Sequence, residues 1–226
     1  MVLNILTQLE LEDMNSFNST HYQMEALKLA FTDVQKYVAD PKYMEVSIDE
    51  LLSMDYAKNR ASLIKDKAIM PKAGKPTQSG TVYLATADQY GNMVSYIQSN
   101  YMGFGSGIVI PNTGIAMHNR GCNFNLDPGS GNCLAGGKKS YHTIIPGFLM
   151  KDGKPVGPFG VMGGFMQPQG HLQVLINTID YKLNPQDALD RPRWQWIGDK
   201  TIEIEQSFDN NLALQLARAG HDIVVK

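Results

Sequence analysis

Cysteine and tryptophan are scarce, with two of each among 226 residues. A disulfide-dense scaffold is thereby excluded. Cys122 and Cys133 leave one disulfide or two free thiols open, and the free-thiol reading is preferred. Charge of one sign is also missing. A formal net charge of -2 gives no broad basic field, so nucleic acid is not an expected partner. No apolar run reaches the ~18–20 residues of a membrane span, so no membrane partner is expected either. The opening residues carry acids early and no basic leader, so no secretory signal is expected. A cytoplasmic location is favoured over a periplasmic or secreted one. No His/Cys/Asp cluster has metal-ligand spacing along the chain, and neither metal nor cofactor is expected. Internal repeats are absent.

What is present is ordinary globular material, 43% hydrophobic and 19% charged. Met24, Leu27, Phe31, Val34 and Val38 recur at three and four, which predicts a helix over 20–38. Asp40-Pro41 ends it. Ser47 to Glu50 forms a capping box, and a further amphipathic stretch covers 56–67. Residues 70–80, rich in Pro, Gly, Lys and Ser, predict an exposed linker. The pattern then changes. Residues 81–88 and 93–99 predict a β-hairpin around Gln89-Tyr90-Gly91-Asn92. Residues 107–111 and 114–118 predict another, and 142–150 with 156–160 flank the turn at 151–154. A helix is expected over 169–183, a capped helix start at Asn184-Pro185, a strand over 201–205, and a helix from Asp209 to Ala219 closed by Gly220. The final HDIVVK starts a strand and stops, so the native protein is expected to continue. Helices, then strands, then helices favour layered α+β.

A linker running straight into a strand that begins with Thr is the shape of a self-processing amide hydrolase. A free N-terminal Thr carries nucleophile and base on one residue, because its α-amine titrates near ~8. While Gly80–Thr81 is intact, that amine is an amide and cannot accept a proton. A break at Gly80–Thr81 would activate the residue.

Several segments in one order carry a resemblance. Gly80-Thr81 opens a strand, then come Asp88-Gln89-Tyr90-Gly91-Asn92 and Phe104-Gly105-Ser106-Gly107-Ile108. Lys138 through Pro146, Lys151-Asp152-Gly153-Lys154 and Gly160-Val161-Met162-Gly163-Gly164 follow. Upstream lie His21-Tyr22, Ala30-Phe31, Asp40-Pro41 and Asp55-Tyr56-Ala57. Together they resemble the γ-glutamyltranspeptidases, within the N-terminal-nucleophile hydrolases, and in particular the glutathione hydrolase-like branch with a Gln-Pro-Gln-Gly-His segment, here Gln167 to His171. The resemblance implies a four-layer αββα sandwich, incomplete in this chain. It implies residues 1–80 as the end of a large subunit and 81–226 as a truncated small subunit, made by autocleavage. It implies Thr81 as nucleophile, Ser99 as the hydroxyl tuning its amine, and Gly163 and Gly164 as the oxyanion hole, with a helix start near Gln169 adding positive potential. Ser99 also fits a plain strand serine, and the glycines a plain turn.

Substrate positions depart from the family pattern. Tyr101 stands where Asn is usual, Arg120 for Gln, Asn123 for an acid that pairs with the substrate ammonium, and His142-Thr143 for Ser-Ser. Losing that carboxylate removes about 1.5–3 kcal/mol, roughly ten- to hundredfold in binding. Arg120 favours a carboxylate over an ammonium. The implied partners are therefore a small γ-glutamyl amide, or a glutaryl amide of the acylase type, and the remainder of the precursor, with self-association left open. A third reading is a catalytically inert piece that only packs against the large subunit. Gly103 to Gly107 lacks the Lys-Ser/Thr ending of a phosphate loop. Trp194 and Trp196 beside Arg191 and Arg193 fit core packing better than nucleic-acid stacking. His118, His142 and His171 are expected to be pocket or structural residues, since no nucleophile elbow accompanies them.

Overall fold

The computed structural model describes residues 1–71 and 80–226. Most of the linker expected at 70–80 lies outside the described residues. In chain order the helices and strands are α1 (Val2–Leu6), α2 (Phe17–Tyr37), α3 (Ile48–Leu52), α4 (Met54–Ala61), β1 (Gly80–Ala87), β2 (Met93–Tyr101), β3 (Gly147–Lys151), β4 (Lys154–Phe159), α5 (Met166–Leu175), α6 (Pro185–Asp190), β5 (Trp194–Gly198), β6 (Thr201–Ile204), α7 (Asn210–Ala219) and β7 (Asp222–Val225). The chain is thus mixed α+β, as its pattern predicted. It forms two compact units: Met1–Lys75 with Leu172–Lys226, and Pro76–His171.

The first unit is built around α2. Ser16 caps it by accepting from the Ser19 N–H, and the helix begins a turn earlier than the apolar repeat suggested. Met24, Leu27 and Phe31 are buried, but so are His21, Glu25, Lys28 and Asp33. A charged group survives burial only when paired, and each of these charges is. Lys28 Nζ donates to Glu25 Oε1 at 2.7 Å and Arg60 to Asp33 at 2.8 Å. Ser47 and Glu50 form the expected capping box at α3. β5 and β6 pair antiparallel, and β6 and β7 pair parallel around α7. Asp209 caps α7, and Gly220 closes it at φ 101°, where a side chain would be strained. β5 was not expected from sequence. Trp194 and Trp196 point into the core, in agreement with packing rather than stacking, and Gln173 hydrogen-bonds both the N–H and the carbonyl of Trp194.

The second unit is built from two hairpins, β1–β2 and β3–β4. Along β2, side chains alternate between half-buried and exposed. Met93, Ser95, Ile97 and Ser99 take the inner face, and Val94 and Tyr96 take the outer one, as period-two geometry requires. The hairpin expected over 107–118 shrinks to one bridge, Val109 to Ala116, with Ile110–Ile115 and Met117–Ile108 hydrogen bonds. Cys122 and Cys133 are free thiols.

Two boundaries of α5 need correcting. It starts at Met166 rather than near Gln169, because the Met166 and Gln167 N–H groups bond the Gly163 and Gly164 carbonyls. It ends as a π-helical turn over Ile176–Asp180, stopped by Lys182 at φ 58°.

His221 sets an acid limit on this fold. Burial, reinforced by the Lys28 charge, lowers its pKa to about 3. The unfolded chain takes up that proton near pH 6.5 and the folded chain does not. Stability therefore falls as pH drops from about 6.5 towards 3, by up to about 1.4 kcal/mol per pH unit. Urea unfolding at pH 7, 6, 5 and 4 should show a shallower acid decline in His221→Gln than in the parent chain. Identical declines would contradict the assignment.

Candidate active site

The start of β1 is irregular. Thr81 faces Ser99 across the hairpin, but Gly80 faces Tyr101, so the register slips by one residue at Asn100. This is a β-bulge, and a bulge re-aims the side chains beside it. Tyr101 takes the strain with φ 75°, a left-handed conformation rare for a bulky residue. It is nonetheless buried, at 2% exposure. The Tyr101 N–H donates to Ser99 Oγ at 2.8 Å. Thr81 Oγ1 donates to the same oxygen at 3.1 Å. Ser99 is therefore not a solvent-facing strand serine. With its two acceptor positions taken, its own O–H is directed elsewhere.

Arg120 closes this group from the loop side. It lies in a short 3-10 turn, Arg120–Asn123, and is 5% exposed. One guanidinium nitrogen donates to the Ser99 carbonyl at 3.2 Å. The guanidinium carbon lies 5.2 Å from the Tyr101 ring centre, a cation–π contact. Burial lowers the Arg120 pKa. No carboxylate stands within ion-pair distance of it among the described residues. A guanidinium with an unmatched charge, bonded to the carbonyl of Thr81's partner Ser99, is a place for an anion. Asn119 braces the loop by accepting from the Met102 N–H and donating to the Met102 and Gly105 carbonyls.

His142 belongs to the same electropositive neighbourhood. Burial lowers its pKa, and the Arg120 and His118 charges lower it further. A neutral imidazole follows. Its Nδ1 accepts from the Ile144 N–H at 3.2 Å. Asn123 is half-buried, and its carbonyl accepts from Asn132. His171 plays a structural part: its Nε2 accepts from the Val161 N–H, and its ring packs on Phe159.

Gly163 and Gly164 form a second group. Their φ angles of 116° and 60° favour glycine. Thr143 Oγ1 donates to the Gly164 carbonyl at 2.8 Å. Both carbonyls are thus occupied by Thr143 and the first turn of α5, while neither glycine N–H donates to any group among the described residues. Two unspent donors beside a helix N-terminus suit a developing oxyanion.

Tyr83 ties β1 to the segment that leads into the glycine pair. It lies on the Thr81 face of β1, and its hydroxyl bonds Ser95 at 3.0 Å. Its ring packs against Gly160, where a Cβ would come within 2.3 Å of two ring carbons. Sequence reading missed this contact. The only signal for it is a Gly three residues before the Gly163-Gly164 pair.

The Gamma-glutamyltranspeptidase family model matches residues 1–226. The chain belongs to the γ-glutamyltranspeptidase family. It is 36% identical to the glutathione hydrolase-like YwrD proenzyme of Bacillus subtilis over 232 residues, covering 100% of this chain and 44% of that protein. It is 33% identical to the oxamate amidohydrolase proenzyme of Klebsiella pneumoniae, covering 99% of this chain and 43% of that protein. The crystal structure of a cephalosporin acylase from Bacillus halodurans superposes with a TM-score of 0.92 at 57% identity, covering 100% of this chain and 41% of that one. The fold is thereby that of the family's N-terminal-nucleophile hydrolases, and the chain spans less than half the length of these relatives.

Gly160→Ala tests the contact of Tyr83 with Gly160. The new methyl must displace the Tyr83 ring, at about 1–3 kcal/mol of stability. Thermal melting should show the loss, and adding Tyr83→Ala should recover part of it. An unchanged melting temperature in Gly160→Ala would show that the ring does not rest there.

Proposed function

We propose that this chain is the catalytic part of a self-processing amide hydrolase in which Thr81 is the nucleophile. The observation that carries this reading is the 3.1 Å hydrogen bond from Thr81 Oγ1 to a Ser99 oxygen fixed by a bulge.

The chain break comes first. Thr81 Oγ1 attacks the Gly80 carbonyl carbon, its proton passing to solvent. The Gly80–Thr81 C–N bond then breaks, the nitrogen takes up a proton, and an ester links Gly80 to Thr81 Oγ1. Water cleaves the ester, leaving a Gly80 carboxylate and a Thr81 with a free amine and a free hydroxyl.

Turnover repeats the chemistry on a substrate. The Thr81 amine, near pKa ~8, accepts the hydroxyl proton while Oγ1 attacks the donor amide. The Gly163 and Gly164 N–H groups stabilise the oxyanion, each worth about 3–4 kcal/mol if preorganised. The proton passes to the leaving nitrogen, the C–N bond breaks, and water releases the acyl group from Thr81. Ser99, which holds Thr81 Oγ1, orients the amine beside it.

Two acyl donors fit, γ-glutamyl and glutaryl amides. The unmatched Arg120 charge, with Asn123 where an ammonium partner would be acidic, favours the glutaryl type. Relatives named as acylases and as an oxamate amidohydrolase are consistent with a carboxylate-bearing donor that lacks the ammonium.

Intact-mass analysis of the native precursor tests the nucleophile. The parent should separate at Gly80–Thr81, Thr81→Ala should stay whole and inactive, and Thr81→Ser should retain a slower break. A parent that never breaks, or an active Thr81→Ala, contradicts the proposal. Anilide donors test the pocket. Glutaryl should exceed γ-glutamyl by roughly tenfold or more in kcat/KM. Arg120→Leu should remove that advantage while sparing an uncharged butyryl donor. A γ-glutamyl preference would reject the Arg120 argument.

A further inference from the structure

Glycine lets a backbone N–H approach a reacting oxygen closely, and the same freedom lets it swing away. An oxyanion hole built on Gly163 and Gly164 therefore needs holding from outside the pair. α5 supplies one hold. The Met166 and Gln167 N–H groups donate to the Gly163 and Gly164 carbonyls at 3.0 and 3.1 Å. Both bonds belong to the first turn of a helix, where helices fray. The other hold comes from an earlier segment. Thr143, only 5% exposed, donates from Oγ1 to the Gly164 carbonyl at 2.8 Å.

The segment carrying Thr143 is itself fixed. The Ile145 N–H donates to Gln167 Oε1 at 3.1 Å, and Gln167 is 1% exposed. The Ile144 N–H donates to His142 Nδ1. Thr143 and Gln167 thus form a reciprocal clamp, each side chain on the other segment's backbone. Gly164 sits between two anchored peptide planes. Met166 holds the Gly163 carbonyl, and with it the Gly164 N–H, which points the opposite way on the same plane. Thr143 and Gln167 hold the plane that follows. Only the two dihedrals of Gly164 separate these planes, so fixing the second limits how far the first can turn.

A threonine hydroxyl has one proton to donate. Here the Gly164 carbonyl takes it. To donate to a substrate carboxylate, Thr143 would have to release Gly164, and its lone pairs offer a carboxylate nothing. We infer, resting on the reading of Gly163 and Gly164 as the oxyanion hole, that Thr143 is a positioning residue for that hole rather than a ligand of the donor's carboxylate. Its buried hydroxyl keeps the Gly164 N–H aimed before the substrate carbonyl gains charge. The contribution is therefore made in the transition state and not in ground-state binding.

The test uses the full-length precursor after cleavage, assayed well below the melting temperature of every variant, with glutaryl and butyryl anilides as donors. Thr143→Val keeps the shape and removes the hydroxyl, and Thr143→Ser keeps the hydroxyl. Losing an oxyanion donor outright costs about 10²–10³ in kcat, and loosening one should cost about tenfold. Thr143→Val should therefore lose about tenfold in kcat on both donors with KM unchanged, and Thr143→Ser should stay within about twofold of the parent. A role in burial alone would lower the melting temperature and leave kcat as it was. Should Thr143→Val fail to fold or to cleave, Thr143→Cys, whose thiol is a weak donor, decides by the same split at about threefold. Parent-like kcat in Thr143→Val, or in Thr143→Cys when it alone is recovered, overturns the positioning role. So does a loss that falls on KM for the glutaryl donor and spares the butyryl one, which would make the hydroxyl a carboxylate ligand. Gly163→Ala separates the two readings. At φ 116°, with Met166 Cβ 3.0 Å from the new methyl, it distorts the pair directly. It should cost about a hundredfold in kcat. A parent-like Gly163→Ala defeats the oxyanion reading, and the positioning role with it. A large loss there beside a parent-like Thr143→Val defeats the positioning role alone.

Discussion

Ser99 Oγ is the point on which the candidate site turns. It receives the Thr81 hydroxyl from the last regular pair of the ladder and the Tyr101 N–H from the slip in register just beyond it. Without the bulge, the residue after Asn100 would continue the ladder and its N–H would point across the hairpin. The left-handed Tyr101 folds that N–H back onto Ser99 instead. Such a conformation costs of order 1–3 kcal/mol for a side chain of this size, and it persists only where surrounding contacts outweigh it. Here the Arg120 guanidinium on the Tyr101 ring and its bond to the Ser99 carbonyl supply those contacts. One arrangement therefore orients the Thr81 hydroxyl and brings an unmatched positive charge close to it.

The other half of the molecule solves a different problem with the same physics. α2 buries two acids, a lysine and a histidine, which would be ruinous if any charge lacked a partner. All are paired, and the pairs extend to a backbone segment with no regular structure of its own. Apolar residues of similar size would satisfy packing but could not hold the Ile69 N–H and carbonyl. Directionality is what the polar network contributes.

Much of this was legible along the chain because the signals were local. Ser47–Glu50, Asn184-Pro185, Asp209 and Gly220 each declare a helix end through a cap that needs no distant partner. Motif order singled out Thr81, Ser99 and Gly163-Gly164, and the structure pairs the first two by a hydrogen bond and gives the glycines positive φ, while their catalytic roles stand as the proposal. What escaped notice depends on residues far apart in sequence. His221 meets His21 across two hundred positions. Tyr83 meets Gly160. β5 was hidden because its tryptophans are buried on a short strand between a loop and a turn, too brief for a period to declare itself. The early start of α5 was hidden for another reason: its first turn is nucleated by the carbonyls of two glycines rather than by a side-chain cap.

The central claim is that an acyl group passes through the Thr81 oxygen. Its most direct test is to mix the processed protein with an activated glutaryl ester, quench in acid within the first turnovers, and map the label by peptide mass. The account predicts a mass increase equal to one acyl group on the peptide that begins with Thr81, released on standing at neutral pH. Label on another residue, or a burst of product with no labelled peptide, would contradict it.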